Sequence, residues 1–470
     1  MNLKCPFLAR IIERCGPAAV VAPADTAQRQ LNLRGEHFSA VPLLRPSCTD
    51  EVVFMVQLAH EAGRALVPVG GGTGLVDALK TTSDTQWYLS LERMRKIERV
   101  DPVSRIAVVE AGVVLQNLQQ AAAENDMLFA VDLGARGSAT VGGLISTNAG
   151  GERVLRFGMM REQVLGLEVV TADGRVLDMM GEVLKNNAGY DLKQLFIGSE
   201  GTLGIVTRAV VRLRTTFQSH DAAWLALNDL SQVPTLLARL ERGLGGNLSA
   251  FELMWPEFVE AMCNGVDAPH RCPVVTEGVA GHILVEAEGG DAMGDHARFE
   301  HVLGELLESG LIQDAAIAQS VTEQQALWAI RNDIPQLVKR FFPPVGFDVS
   351  VPVAQMADFV AELHTALSSR WPQARLVVFG HVADNNLHVV VTAGSETLAL
   401  AKPIADVVYD GVIRRRGSIS AEHGIGLDKR DALATRTPTP VLAQMHQLKQ
   451  MMDPQGLLNP GKVLSPIASS

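Results

Sequence analysis

Three glycine-rich tracts, each at the end of an apolar run of β character, limit what this chain of 470 residues can fold into. The first, Gly70-Gly71-Gly72-Thr73-Gly74, follows Leu66-Val67-Pro68-Val69, a predicted strand. The second runs from Asp132 through Ser138, Thr140, Gly142 and Gly143 to Thr147, Asn148, Gly150 and Gly151. The third, Gly198-Ser199-Glu200-Gly201-Thr202-Leu203-Gly204, opens a strand predicted through about Leu213. Without a Cβ, the backbone takes left-handed angles and can aim several N–H groups into one concavity. Such a nest binds phosphate oxygens. The first tract is not a Walker loop, because no Gly-Lys-Ser/Thr follows, and Leu75 stands where a Gly-x-Gly-x-x-Gly fingerprint needs its third glycine. One glycine run alone reads equally well as a tight turn. The second tract has no side chains that could build a core, so it is either floppy or covered by a ligand that approaches the backbone closely. Three tracts at strand ends suit one long dinucleotide lying across several loops.

The intervening segments predict ordinary elements. Val41 to Leu44 reads as a strand, and Thr49 or Asp50 caps a helix through about Ala62 with Val52, Val53, Val56 and Ala59 on one face. Gly63 ends it. A hairpin is predicted from Leu167 to Val176 with Asp173-Gly174 at its turn. After about Arg214 the pattern changes to short strands and amphipathic helices, the helices including Thr322–Ile334 and Val441–Met451. The expected division is an N-terminal helix and arm over 1–35, a nucleotide-binding domain over 36–215, a second domain over 216–425, and a helical C-terminal segment over 426–470.

Charge removes one class of partner. The net charge is −11 and the longest basic run is Arg414-Arg415-Arg416, which argues against nucleic acid. An anionic substrate would then need a local basic pocket. The odd set of five cysteines lacks any Cys-x-x-Cys and is expected to be reduced and mostly buried, as in a cytoplasmic protein. The apolar run Phe7 to Ile12 is broken by Arg10 and followed by Glu13 and Arg14, so it does not read as a signal peptide. No stretch reaches the ~20 apolar residues of a membrane span. The expected location is the cytoplasm, with peripheral contact at the inner membrane left open.

The second half carries the chemistry. Gly380-His381-Val382-Ala383-Asp384-Asn385-Asn386-Leu387-His388 holds two imidazoles seven residues apart, and Ala421-Glu422-His423-Gly424-Ile425-Gly426 places a carboxylate beside a third. Two imidazoles and a carboxylate are a common first shell for a catalytic divalent metal. A further imidazole then remains to move a proton. The spacing is not the helical His-x-x-x-His, so the first two histidines are expected to flank a strand–turn–strand corner, with Asn386 read as a turn residue. A single histidine is usually structural; four such groups in two short Gly-flanked segments make a site.

Taken together, these stretches resemble the FAD-linked oxidase family with the vanillyl-alcohol-oxidase-type FAD domain. Within it, the chain resembles the D-2-hydroxyacid dehydrogenases, and most the D-2-hydroxyglutarate dehydrogenase branch. The matching segments are Pro68–Gly74, Asp132–Gly151, Gly189–Gly204, Gly380–His388, Ser420–Gly426 and Leu458-Asn459-Pro460-Gly461-Lys462. The resemblance implies an α+β fold: a two-subdomain FAD-binding domain and an α+β substrate cap with an antiparallel sheet. It implies that Pro68 and Gly70, Gly71, Gly72, Thr73 and Gly74 hold the FAD pyrophosphate. Asp132, Ser138, Thr140, Gly142, Thr147, Asn148 and Ile205 would line the FAD groove, and Asn459 would return to the flavin side. With no His or Cys inside Pro68–Val76, the FAD is expected to be non-covalent.

The same resemblance implies that His381, His388 and Glu422 bind a divalent metal, with zinc the expected ion, and that His423 is the base. Arg331 would hold the substrate carboxylate. The implied reaction is oxidation of a D-2-hydroxy acid to the 2-oxo acid, with a hydride passing to flavin N5. The implied partner is an electron acceptor, such as an electron-transfer flavoprotein or a quinone or cytochrome chain. A homodimer is left open.

Three positions depart from the hydroxyglutarate pattern. Pro335 stands in place of a threonine, Gly346 in place of a lysine, and Val390 in place of an asparagine. Those losses weaken the binding of a second carboxylate, so D-lactate is a competing substrate. Two other classes are a metal-dependent hydrolase, which would be colourless, and a flavin-binding electron-transfer subunit, whose flavin no hydroxy acid would bleach.

Overall fold

A computed structural model describes residues 5–32, 34–264 and 268–465. Residues 1–4 of the expected N-terminal helix lie outside the described residues. The chain divides into two compact units. One comprises the described residues of Met1–Gly151, Phe157–Thr216 and Glu422–Ser470, and the other comprises Glu152–Arg156 and the described residues of Phe217–Ala421.

The first unit contains two main sheets. Leu43–Leu44, Gln86–Ser90 and Ala65–Val69 pair in parallel, with Val20–Val21 antiparallel at one edge. The helix Thr49–Glu61 buries Val52, Met55, Val56 and Ala59 in the same core as Leu66 and Leu89. Its N-cap is Cys48, without a side-chain hydrogen bond, rather than Thr49 or Asp50. The Thr49 hydroxyl is instead taken by Glu168, 2.6 Å away. The second sheet is antiparallel and five-stranded, in the order Ile97–Asp101, Ile106–Glu110, Ile205–Arg212, Val164–Val170, Val176–Met179. Its last pair is the expected hairpin, turned at Gly174, whose φ is +79°. Near the C-terminus the chain comes back to this unit. Leu66 N–H donates to Leu457 O at 2.7 Å, and Asn459 N–H donates to Leu66 O at 2.8 Å.

The second unit is built on a seven-stranded antiparallel sheet. Its order is Asp314–Ile317, Ser219–Leu227, Gly281–Gly289, Leu248–Met254, Arg375–His381, Asn386–Thr392, Val345–Ser350. Trp224, Met254, Phe258, Leu284 and Phe379 pack into one apolar core on it. Helix Val321–Asn332 starts at a capping exchange: Ser320 Oγ accepts from Glu323 N–H at 3.3 Å, and Glu323 Oε2 accepts from Gln319 N–H at 2.7 Å. The helix expected over Thr322–Ile334 stops at Asn332, and a second begins at Ile334 with Pro335 in its first turn. Proline fits there because its missing N–H would be unsatisfied in any case.

The cysteines are free thiols but not mostly buried: Cys48 is exposed and the other four are half-buried. They sit at helix ends and in a loop, and Cys5, Cys15, Cys263 and Cys272 pack against the edges of the apolar cores. Among the described residues no helix is long and apolar enough to cross a membrane.

Candidate active site

In the cap unit, strands Arg375–His381 and Asn386–Thr392 form the strand–turn–strand corner that the histidine spacing predicts. Asn385 makes the left-handed turn at φ +74°. The His381 and His388 rings stand 5.4 Å apart, centroid to centroid, nearly perpendicular. Asn386 is not the turn residue. It is the first residue of the second strand, 3% exposed, and neither end of its amide has a hydrogen-bond partner among the described residues.

Two residues absent from the sequence reading complete this cluster. Glu252 lies on Leu248–Met254, directly across from His381 in the register. Its Oε1 accepts from His381 Nδ1 at 2.5 Å and its Oε2 accepts from Arg331 Nε at 2.8 Å. Burial pushes the Glu252 carboxyl pKa up, but His381 and Arg331 outweigh that effect and hold it at about 2. Asp348, fully buried, stands opposite His388 on the neighbouring strand, with an oxygen 3.9 Å from Nδ1. The signal for Glu252 was present in the sequence: one carboxylate inside the apolar run Leu248-Ser249-Ala250-Phe251-Glu252-Leu253-Met254. Arg331 is 4% exposed, on the buried face of its helix with Leu327 and Ile330, and its guanidinium lies over the Phe379 ring.

The first unit contains the glycine tracts, Glu422 and His423. Gly70–Gly74 follows the strand Ala65–Val69. A Cβ on Gly71 would sit 1.9 Å from Ser138 O, so the first two tracts meet backbone to backbone. Gly74 and Gly134, by contrast, have open space where a Cβ would be. Several of the expected FAD residues use their side chains within the fold. Thr140 Oγ1 accepts from Gly143 N–H, Asp132 accepts from Gln119 and pairs with Arg136, Thr147 bonds Gly143 O, and Asn148 Oδ1 accepts from Arg161 N–H. Gly142 packs against Ala111, and Ile205 is buried at the start of its strand. Ser138 is exposed, and Pro68 and Thr73 are half-buried. Asn459 is 2% exposed; its Nδ2 donates to Glu200 O, and its Oδ1 has no partner among the described residues. Exposed glycine backbone and an unmatched buried acceptor in the same unit fit a cofactor rich in polar atoms.

Glu422 and His423 are pinned on either side. Gly151 N–H donates to Glu422 Oε1 at 2.8 Å. Glu200 accepts from Ile425 N–H at 2.7 Å and from Gly426 N–H at 2.9 Å. Burial raises the Glu200 pKa, and those two backbone donors oppose the rise.

Residues 42–180 match the FAD binding domain family, and residues 218–463 match the C-terminal domain of FAD linked oxidases. The chain belongs to the FAD-linked oxidase family. This FAD-linked oxidase is 37% identical over 422 residues to the mitochondrial D-2-hydroxyglutarate dehydrogenase of Arabidopsis thaliana, covering 90% of this chain and 74% of that one. It is 37% identical over 459 residues to the mitochondrial enzyme of the same name from Bos taurus, covering 96% and 82%. The D-2-hydroxyglutarate dehydrogenase of Xanthomonas citri is also 37% identical, covering 89% of this chain and 88% of the relative. The fold is shared with p-cresol methylhydroxylase at a TM-score of 0.75, with 16% identity and coverage of 98% and 96%. It is also shared with the 4-ethylphenol oxidase of Gulosibacter chungangensis at 0.71, with 17% identity and coverage of 98% and 97%. This oxidase is therefore an FAD-binding oxidoreductase of α+β fold, in which two-subdomain FAD binding is combined with a cap built on an antiparallel sheet.

Proposed function

We propose that this oxidase converts a D-2-hydroxy acid, D-2-hydroxyglutarate or a related one, to the 2-oxo acid. One observation carries the reading. The cap unit buries the guanidinium of Arg331 against His381, whose ring stands 5.4 Å from that of His388, in a chain resembling D-2-hydroxyglutarate dehydrogenases over about nine-tenths of its length. Arg331 binds the substrate carboxylate through its planar fork. A ring nitrogen of His423 takes the proton of the 2-hydroxyl. His381, His388 and Glu422 hold a divalent ion. The ion, with zinc expected, supplies Lewis acidity toward the substrate oxygens. The glycine tracts would hold FAD without a covalent bond, and FAD would supply the two-electron acceptor, with an external electron carrier as partner.

A second reading of the substrate rests on one pairing. Gly346 and Val390 are direct cross-strand partners, so two of the three departures from the hydroxyglutarate pattern fall at one spot. An apolar pair there favours a monocarboxylic substrate such as D-lactate. An anaerobic panel of D- and L-2-hydroxy acids, read by flavin bleaching, tests both readings. Bleaching by D acids alone is expected, slowed by chelation and restored by Zn²⁺, Mn²⁺ or Co²⁺. Flavin that no D-2-hydroxy acid bleaches would leave an electron-transfer subunit.

Asn386 lies two residues before His388 on one strand, so the two side chains share a face. Its unmatched amide is expected to bind a substrate oxygen. Asn386→Ala should raise KM about 10-fold, the loss of one hydrogen bond to a charged group, with kcat and melting temperature little changed. Steady-state kinetics on both proteins check this, and an unaltered KM would make the amide purely structural.

A further inference from the structure

Glu252 is a carboxylate 1% exposed inside a fully buried strand whose other residues, Ser249 apart, are apolar. Burying a charge in that way is weak evidence for stability, because desolvation offsets much of the attraction and an apolar replacement is often more stable. Its geometry suggests another reason for its presence. A carboxylate can only accept and a guanidinium can only donate. His381 meets one of each: Glu252 Oε1 lies 2.5 Å from Nδ1, and Arg331 Nη2 lies 3.4 Å from Nε2. A single neutral tautomer satisfies both contacts, with the proton on Nδ1 and the lone pair on Nε2.

We propose that Glu252 is the positioning residue of the site, fixing His381 so that Nε2 is presented to a divalent ion while anchoring Arg331 through Nε. Anchoring at Nε leaves Nη1 for a substrate carboxylate, and adds Nη2 to make the fork once an ion takes the Nε2 lone pair that Nη2 meets in this structure. One residue thus sets the orientation of a metal ligand and of a substrate ligand. Across the strands from each other, Glu252 and His381 are held by the sheet register, and the helix carrying Arg331 supplies the third member. The inference rests on the metal reading above and extends it to a residue that touches neither metal nor substrate. Metal-bound histidines commonly donate their second ring N–H to such a carboxylate, which fixes the ring and raises its basicity.

The test uses the full-length, FAD-loaded protein after metal removal. Zn²⁺ affinity is measured by competition with a fluorescent chelator for wild type, His381→Ala, Glu252→Gln and Glu286→Gln. Glu286 is the control: a sheet carboxylate that accepts from Trp328 Nε1 at 2.8 Å, outside the cluster. Glutamine at 252 cannot accept from both neighbours, since its amide N–H₂ would meet a donor. Glu252→Gln is expected to weaken Zn²⁺ binding about 10- to 100-fold. Its KM should rise more than its kcat falls at saturating metal, and Glu286→Gln should bind as wild type does. Wild-type affinity in Glu252→Gln, with affinity lost in His381→Ala, overturns the role of Glu252 and leaves the metal reading standing. Wild-type affinity in His381→Ala overturns the metal reading itself. If Glu252→Gln yields no folded yellow protein, Co²⁺-loaded wild type decides by proton NMR. A paramagnetically shifted ring N–H that persists in D₂O supports the bond to Glu252, and complete immediate exchange of all such protons overturns it.

Discussion

Replacing His423 with alanine is expected to leave the protein yellow and slow anaerobic flavin reduction by a D-2-hydroxy acid about 10²- to 10⁴-fold, the contribution of a positioned general base. Retention of FAD follows from how the segment is held. Ile425 and Gly426 are fixed by backbone donation to Glu200, and Glu422 by Gly151 N–H, so the loop keeps three anchors when the imidazole is removed. Gly424, at φ +83°, already takes a backbone angle that no side chain imposes. The expected FAD-binding groups lie elsewhere in the chain, in the glycine tracts and at Asn459. Zn²⁺ content and the midpoint of thermal unfolding should therefore stay close to wild type while reduction falls. Added imidazole should restore part of the rate if the lost function is proton acceptance. Reduction of His423→Ala at a near-normal rate, with D acids still preferred, would remove this residue as the base.

What the sequence makes legible is local. A histidine pair seven residues apart, with a turn-forming Asn385 between, specifies its own hairpin corner, because a strand–turn–strand corner needs only neighbouring residues. The glycine tracts are legible for the same reason, and Gly71 shows why: a Cβ there would collide with Ser138 O. Glu252 was missed because its partner His381 lies 129 residues away, and the pairing exists only through the order of strands in the sheet. Asp348 was missed for the same reason, since its place opposite His388 depends on a strand register that no local pattern encodes. Asn386 was misread because Asn-Asn is a common turn pair, whereas only the first of the two takes the left-handed angle. Helix Val321–Asn332 was expected to run two residues longer because its apolar spacing continues to Ile334; Asp333 at ψ 52° breaks it ahead of Pro335.

Arg331→Lys is expected to cost about 10³-fold in kcat/KM, most of it in KM, while the metal stays bound. Lysine keeps the positive charge that balances Glu252, so the cluster is not left with an uncompensated buried carboxylate, a loss worth about 3–5 kcal/mol. What disappears is the fork. An ammonium is a compact, strongly hydrated point charge, and it cannot bond Glu252 through one nitrogen while offering two more in a plane to a carboxylate. Two charge-assisted hydrogen bonds at about 1.5–3 kcal/mol each bracket the expected loss. Because Glu252 Oε1 still accepts from His381 Nδ1, Zn²⁺ affinity should hold within about threefold, which separates this variant from Glu252→Gln. Arg331→Met makes the complementary measurement: with no cation beside it, Glu252 is expected to lower the unfolding midpoint markedly as well as abolish turnover. Arg331→Lys with a wild-type KM for every D-2-hydroxy acid would mean that the substrate carboxylate is bound elsewhere. The buried guanidinium would then serve only to neutralise Glu252.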